Sequence, residues 1–234
     1  MTETTGVIQV LDELTANQIA AGEVVERPLS VVKELVENSI DAGARRVTIQ
    51  VEGGGLTLIK VGDDGVGLSK RDLPQAFLRH ATSKIQNADD LFSIHTMGFR
   101  GEALPSIASV SQVETRSREK TAVAGYKITV TDNEVEFIGE VGMPVGTQIT
   151  VKKLFYNTPV RKKFLKSPST ELGYIINLVG QLILANPNIS FVLQSNGRVV
   201  LNSAGRGDLL QAIISVYGRQ MADNMTKVAW QNRL

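Results

Sequence analysis

The sequence predicts an α+β two-layer sandwich, a mixed β-sheet covered by helices on one face. Three observations predict it. Short runs rich in β-branched residues recur along the chain at 47–51, 56–62, 111–118, 123–131, 133–139 and 146–152, the length and composition of strands. Helical segments alternate with them, the clearest having Val32, Leu35, Val36 and Ile40 at helical spacing, so that one face enters a core. Glycine and asparagine punctuate the joins. Of the 234 residues 42% are hydrophobic but only 5% aromatic, so the core is aliphatic.

Taken in order, a short strand at 7–11 precedes a helix that starts at Thr15, where Thr15 and Gln18 have capping-box spacing, and stops near Gly22. A second helix begins after Arg27 and Pro28, proline being tolerated in a first turn, and ends at Gly43, a left-handed cap position. Strands 47–51 and 56–62 follow, with Gly53, Gly54 and Gly55 as the turn. No periodicity holds from about 66 to 97, a polar, glycine-flanked stretch of the kind that serves as a ligand-ordered lid. A helix is expected over 102–109, then strands, then a long helix from Pro168 to Ala185 and a hairpin over 189–202 around Asn196 and Gly197. Gly205, Arg206 and Gly207 mark an expected boundary, with a first domain at 1–205 and, at 206–234, the beginning of a truncated second one opened by a helix over 208–217.

Composition excludes several classes. A net charge of +1 argues against a generally basic nucleic-acid coat. With no cysteine there is neither a disulfide framework nor a thiolate metal site, and His80 and His95 alone cannot build a zinc site. No run of about 18 apolar residues suggests a membrane helix, and the polar residues 2–5 lack signal-peptide character, so a cytoplasmic location is expected.

Four elements carry possible chemistry. Glu34, Asn38 and Asp41 follow at i, i+4 and i+7 and form a polar stripe on the second helix. Neighbours of that kind sit about 5–6 Å apart at Cβ, suited to a carboxylate holding a water beside a carboxamide oxygen holding a hydrated metal. Alone, such a stripe more often means a solvated face. Asp63 ends a buried strand before Gly65 and Gly67. It reads either as an ordinary turn residue or as a carboxylate at a pocket floor, accepting from the exocyclic amine of adenine where guanine would present a carbonyl. Gly98, Phe99, Arg100 and Gly101 open the helix over 102–109 as a phosphate cradle would, with Thr82, Ser83 and Lys84 just upstream. Finally, Gly146 and Thr147 open the strand at 146–152. Each is weak by itself. The run from Gly53 to Lys60 lacks the ending of a phosphate loop and is rejected as one. His80 is read as structural. The cluster Arg161, Lys162, Lys163 and Lys166 fits a solvated face better than a DNA contact, which stays open.

In order, the four elements resemble those of the GHKL ATPases, which include gyrase B-type topoisomerases, heat-shock chaperones and sensor histidine kinases. The chain is most similar to the MutL family of DNA mismatch-repair proteins. Its long matching strings are 16–28, Lys33 to Ala44, Arg79 to Lys84, Gly98 to Leu104 and Leu154 to Pro159, and the resemblance covers about 6–205. It implies the GHKL fold, ATP and Mg2+ as cofactors, and hydrolysis of the γ-phosphate. By motif, Glu34 resembles the general base and Asn38 the magnesium ligand. Asp63 resembles the adenine-reading carboxylate, with Gly65, Gly67 and Thr147 completing the base pocket. Thr82, Ser83 and Lys84 fall in the ATP lid, and Gly98, Phe99, Arg100 and Gly101 in the phosphate-contacting loop. One position departs from the family: where MutL proteins often read Asp-Asn-Gly, this chain has Asp64 between Asp63 and Gly65, expected to point elsewhere. The resemblance further implies that a lysine from a second domain reaches the γ-phosphate. That lysine falls beyond residue 234, so turnover is expected to be weak or absent, and no nuclease site is expected. It implies ATP-driven homodimer closure with an N-terminal arm reaching across, other mismatch-repair proteins as partners, and at most weak DNA contact through this fragment. The competing readings are a module that holds ATP as a switch with negligible hydrolysis, and a topoisomerase or chaperone ATPase. The strings at 98–104 and 155–159 argue against the second.

Overall fold

The computed structural model describes residues 22, 24–84, 96–98, 101–226 and 228. Eight strands form one sheet: β1 (Arg46–Glu52), β2 (Leu58–Asp63), β3 (Gln112–Arg118), β4 (Gly125–Thr131), β5 (Glu134–Val141), β6 (Gly146–Lys152), β7 (Ser190–Ser195) and β8 (Arg198–Asn202). Their spatial order is β5-β4-β3-β6-β2-β1-β7-β8. All pairings are antiparallel except β1 with β7, so the sheet is mixed, as expected.

Strand register explains where the core lies. Side chains alternate across a sheet with period two, and two rungs running across the sheet are mostly apolar. One holds Val130, Val113, Val151, Ile59 and Val51; the next holds Ile128, Ile149, Val61, Ile49 and Leu193, with Thr115 the polar member. These positions are buried. The other face of the same strands carries Gln50, Lys60, Thr150, Glu114 and Thr129, cross-strand neighbours of one another.

Helices α1 (Pro28–Asp41) and α5 (Pro168–Ala185) cover the apolar face. Helix α1 buries Val31, Val32, Leu35 and Val36, the stripe read from its spacing, and α5 buries Ile175, Val179, Leu182 and Ile183. The turn Gly53–Gly55 lies under the start of α5. A Cβ on Gly54, at φ 67°, would stand 2.5 Å from the Pro168 carbonyl, so only glycine lets α5 seat so closely. Ser167 caps α5 through the Thr170 N–H. The last hairpin turns at Asn196 and Gly197, both with positive φ, the two-residue turn expected there.

Among the described residues three short helices went unread in the sequence, the last of them Arg219–Asp223. Helix α2 (Asp72–Gln75) lies inside the stretch that showed no periodicity. Ser69 Oγ accepts from the Asp72 N–H and donates to Asp72 Oδ2 at 2.7 Å, and the helix carries Leu73, with Phe77 after it, into the core. Helix α4 (Pro159–Phe164) carries Arg161, Lys162 and Lys163, which the sequence showed only as a basic cluster. Helix α3 (Ala103–Ala108) is shorter than the expected 102–109. Helix α6 (Leu209–Tyr217) is capped by Asp208 and meets α5 where Val216 approaches Gly180; α7 (Arg219–Asp223) follows. The expected strand at 7–11 and nearly all of the helix from Thr15 lie outside the described residues. Among the described residues no helix is long and apolar enough to cross a membrane.

The segment after β6 braces α3 from below. Phe155 is fully buried at φ 63° and its N–H donates to the Val110 carbonyl at 2.8 Å. Asn157 Nδ2 donates to the Ser109 carbonyl and to Asp132 Oδ1, both at 2.8 Å. Burial, the bond to Asp132 and the Asp132 and Glu136 charges push the Tyr156 hydroxyl up to about 12. A phenylalanine held in a left-handed conformation is strained, so its side chain must be over-determined by packing. Replacing Phe155 by Ala is expected to cost about 3–5 kcal/mol, read as a lowered midpoint in equilibrium denaturant unfolding.

Candidate functional site

The two apolar rungs of the sheet are followed by a polar one. Ser117, Thr147 and Asp63 share the parity of the core positions on β3, β6 and β2, so they face the helical layer and not solvent. Helix α1 makes the same change at the same place: its buried stripe of Val32, Leu35 and Val36 ends in Ser39. Ser39 Oγ donates to Asp63 Oδ2 at 2.9 Å, while Asp63 Oδ1 accepts from the Gly65 N–H at 2.9 Å and the Thr147 N–H at 3.3 Å. Ser117 Oγ lies 2.8 Å from Thr147 Oγ1 and accepts from the Leu68 N–H.

Burial pushes the Asp63 carboxyl above its ordinary value, the bonds from Gly65, Ser39 and Thr147 pull the other way, and the Asp64 charge adds to the rise. Asp64 itself accepts from the Arg45 and Arg46 N–H groups, each at 2.8 Å, which commits its Oδ1 to the start of β1. A Cβ on Gly65 would fall 2.8 Å from the Ala42 carbonyl and 3.0 Å from Asp63 Oδ1, and one on Gly67 would fall 2.2 Å from the Arg118 carbonyl. Both glycines are therefore required by close backbone approach.

The polar stripe of α1 gathers the other candidates. Glu34 is partly exposed, with Lys33 Nζ at 3.5 Å from Oε1. Burial works against the Lys33 ammonium, but its bond to Glu37 and the charges of Glu34 and Glu37 raise it above its ordinary value. Asn38 Oδ1 accepts from Lys84 Nζ at 2.9 Å, and Asp41 Oδ2 accepts from the same ammonium at 2.5 Å. Asp41 also accepts from the Met97 and Gly98 N–H groups, at 3.0 and 3.2 Å. Thr82 Oγ1 accepts from the Lys84 N–H; the Ser83 side chain has no hydrogen bond among the described residues. The His80 N–H donates to the Gly101 carbonyl, and a Cβ on Gly101 would strike the Ala81 backbone. His80 thus ties 79–84 to the start of α3 through its backbone, with its ring mostly exposed. Phe99 and Arg100 lie outside the described residues.

Two clusters therefore draw on the same helix. Asp63, Gly65, Gly67 and Thr147 form one with Ser39 and Ser117; Asn38, Lys84 and Gly98 form the other with Asp41, with Glu34 one turn before Asn38. Sequence reading missed Ser39 and Ser117 and gave Asp41 no role beyond the stripe. The signal for Ser39 was a serine in an apolar stripe. That for Ser117 was a hydroxyl at an inward position of an alternating strand.

Residues 26–144 match the family described as histidine kinase-, DNA gyrase B-, and HSP90-like ATPase. The chain is similar to the DNA mismatch repair protein MutL of Clostridium beijerinckii, 52% identical over 218 residues that span 93% of this chain and 33% of that protein. It is similar also to MutL of Pelotomaculum thermopropionicum, 55% identical over 94% of this chain and 36% of that protein. The chain thus spans about a third of the length of these relatives. Among solved structures, the Aquifex aeolicus MutL ATPase domain complexed with ADP matches at TM-score 0.66 and 36% identity, covering 83% of this chain and 70% of that one. The chain belongs to the histidine kinase-, DNA gyrase B- and HSP90-like ATPases and, within them, to the MutL family of DNA mismatch-repair proteins.

The raised Asp63 carboxyl gives folding a pH dependence of definite sign. Its folded pKa lies above the unfolded value, so the ionised form costs folding free energy above that pKa, and the cost disappears as pH falls through it. Asp63→Asn carries no such cost. The difference in thermal midpoint, variant minus wild type, is expected to shrink as pH is lowered from about 7 to about 4, measured by differential scanning calorimetry.

Proposed function

We propose that this chain is the ATP-binding and hydrolysing domain of a MutL-type mismatch-repair protein, acting in the cytoplasm, with adenine read by Asp63 and the triphosphate lying toward Asn38 and Lys84. The observation that carries the reading is the half-buried Asp63 carboxylate, oriented by donors from three elements. An ionised carboxylate only accepts hydrogen bonds, so it favours the exocyclic amine of adenine over the carbonyl of guanine. Gly65, Gly67 and Thr147 complete the base pocket in this reading. Thr82, Ser83, Lys84 and the run Gly98, Phe99, Arg100 and Gly101 meet the phosphates.

The donor set suits magnesium, which keeps several waters and takes few protein ligands. Asn38 Oδ1 already accepts from a cation, the Lys84 ammonium, and among the described residues no cluster of three His, Cys, Asp or Glu side chains gathers that would suit a more demanding ion. Bound there, the ion would neutralise phosphate charge. Glu34, one turn before Asn38 on α1, orients the attacking water and takes its proton. Backbone N–H groups near Gly98 and Gly101 stabilise charge on the transferring group.

The relatives are about three times longer, and the reading extends to them in two ways. ATP binding drives dimer closure, and hydrolysis resets it while other repair proteins, and DNA weakly, engage. Residues 206–234 are the start of a second domain, and a lysine of that domain reaches the γ-phosphate. Calorimetric titration with a non-hydrolysable ATP analogue and magnesium tests the site. Asp63→Asn should weaken binding by about 10- to 100-fold. Glu34→Ala should leave binding intact and lower phosphate release by about 100-fold or more. Unchanged phosphate release would remove Glu34 as the base, and undiminished binding by the Asp63 variant would remove Asp63 from the adenine pocket.

A further inference from the structure

The ammonium of Lys84 stands on the oxygen that the proposed function gives to the metal. It is shared between Asn38 Oδ1 at 2.9 Å and Asp41 Oδ2 at 2.5 Å. Asp41 is the better buried partner, its side chain 7% exposed against 20% for Lys84. Its carboxylate has two further donors, the Met97 and Gly98 N–H groups. Three donors fix the carboxylate, and the fixed carboxylate fixes the ammonium. The Gly98 backbone closes the same space: a Cβ there would lie 3.4 Å from Lys84 Nζ and 3.8 Å from Asn38 Oδ1.

Two cations cannot share this oxygen without strong repulsion, since like charges a few ångströms apart in a partly buried site are poorly screened. We propose that Asp41 is a positioning residue that holds Lys84 against Asn38, so that the lysine and the divalent ion compete for the same carboxamide oxygen. Magnesium entering with nucleotide must move the ammonium off Asn38. Asp41, one helical turn further along α1, keeps the released lysine tethered beside the phosphates. The metal requirement of nucleotide binding is then set by a salt bridge that touches neither base nor ribose. This inference rests on Asn38 being the metal ligand.

The test is a magnesium titration of the full chain at fixed non-hydrolysable ATP analogue, with bound analogue as the readout and the same measurement in excess chelator as the reference. Asp41→Asn keeps the side-chain shape and the lysine but removes the charge that holds it. The magnesium midpoint is expected to fall by about threefold to tenfold, the loss of one partly exposed ion pair. Lys84→Met leaves every Asp41 backbone bond intact and should lower the midpoint too, with the double variant no lower than the better single one. A purely structural role would change analogue affinity equally with magnesium and with chelator, leaving the midpoint in place. An unchanged or raised midpoint in both single variants overturns the proposal. Asn38→Ala separates the two readings. If it leaves the midpoint where wild type has it, Asn38 is not the ligand and the underlying assignment fails. If it raises the midpoint while Asp41→Asn and Lys84→Met do nothing, the assignment stands and only the competition fails.

Discussion

Ser39 Oγ meets Asp63 Oδ2 where the apolar interior of the sandwich stops, and the arrangement of both layers turns on that contact. A carboxylate withdrawn this far from water costs folding free energy unless its oxygens are satisfied. Its donors come from α1, from the turn after β2 and from β6. No two belong to the same element, so a sliding helix, a shifted strand or a differently shaped turn would each cost the carboxylate a donor. The functional group thereby acts as a gauge of the fold, and a molecule folded well enough to satisfy Asp63 has also aligned the polar rung for a ligand.

Helix α1 answers to three demands within four turns. Val32, Leu35 and Val36 bind it to the sheet, Ser39 serves the carboxylate, and Asn38 and Asp41 serve the cationic cluster. The 100° step between successive residues makes this possible, because Asn38 and Ser39 point to different sides while sharing one backbone. Rigidity follows from the packing stripe, and it places both clusters at a fixed separation without any loop between them.

Much of this was legible in the sequence, for identifiable reasons. Helix α1, the first hairpin, α5 and the Asn196–Gly197 turn follow from local periodicity and turn chemistry, and local rules are what a sequence displays most openly. Asp63 could be placed at a strand end because alternation fixes strands. The polar rung could not, since Ser117, Thr147 and Asp63 become neighbours only through the order β3-β6-β2, in which β6 inserts between strands that precede it in the chain. Helix α2 was hidden by its brevity; one turn, tied by a single Ser69–Asp72 pair, is too short for any periodicity to show. The partnership of Asp41 with Lys84 joins residues that are far apart in sequence, and nothing in either neighbourhood announces the other.

The one parallel pairing has a consequence in time. Strand β1 sits inside the sheet between β2 and β7, yet Arg46 pairs with Ser190 and Val51 with Ser195, so its second neighbour is made long after its first. During synthesis the β1–β2 hairpin must wait with one edge bare while the ribosome adds every residue from β3 to α5. Closing so long a connection is slow and leaves an apolar strand open to wrong partners meanwhile. Helix α5 also leans on the Gly53–Gly55 turn of that hairpin. The two clusters on α1 can therefore take final shape only after the emergence of β7, which makes their assembly a late event in the birth of the chain.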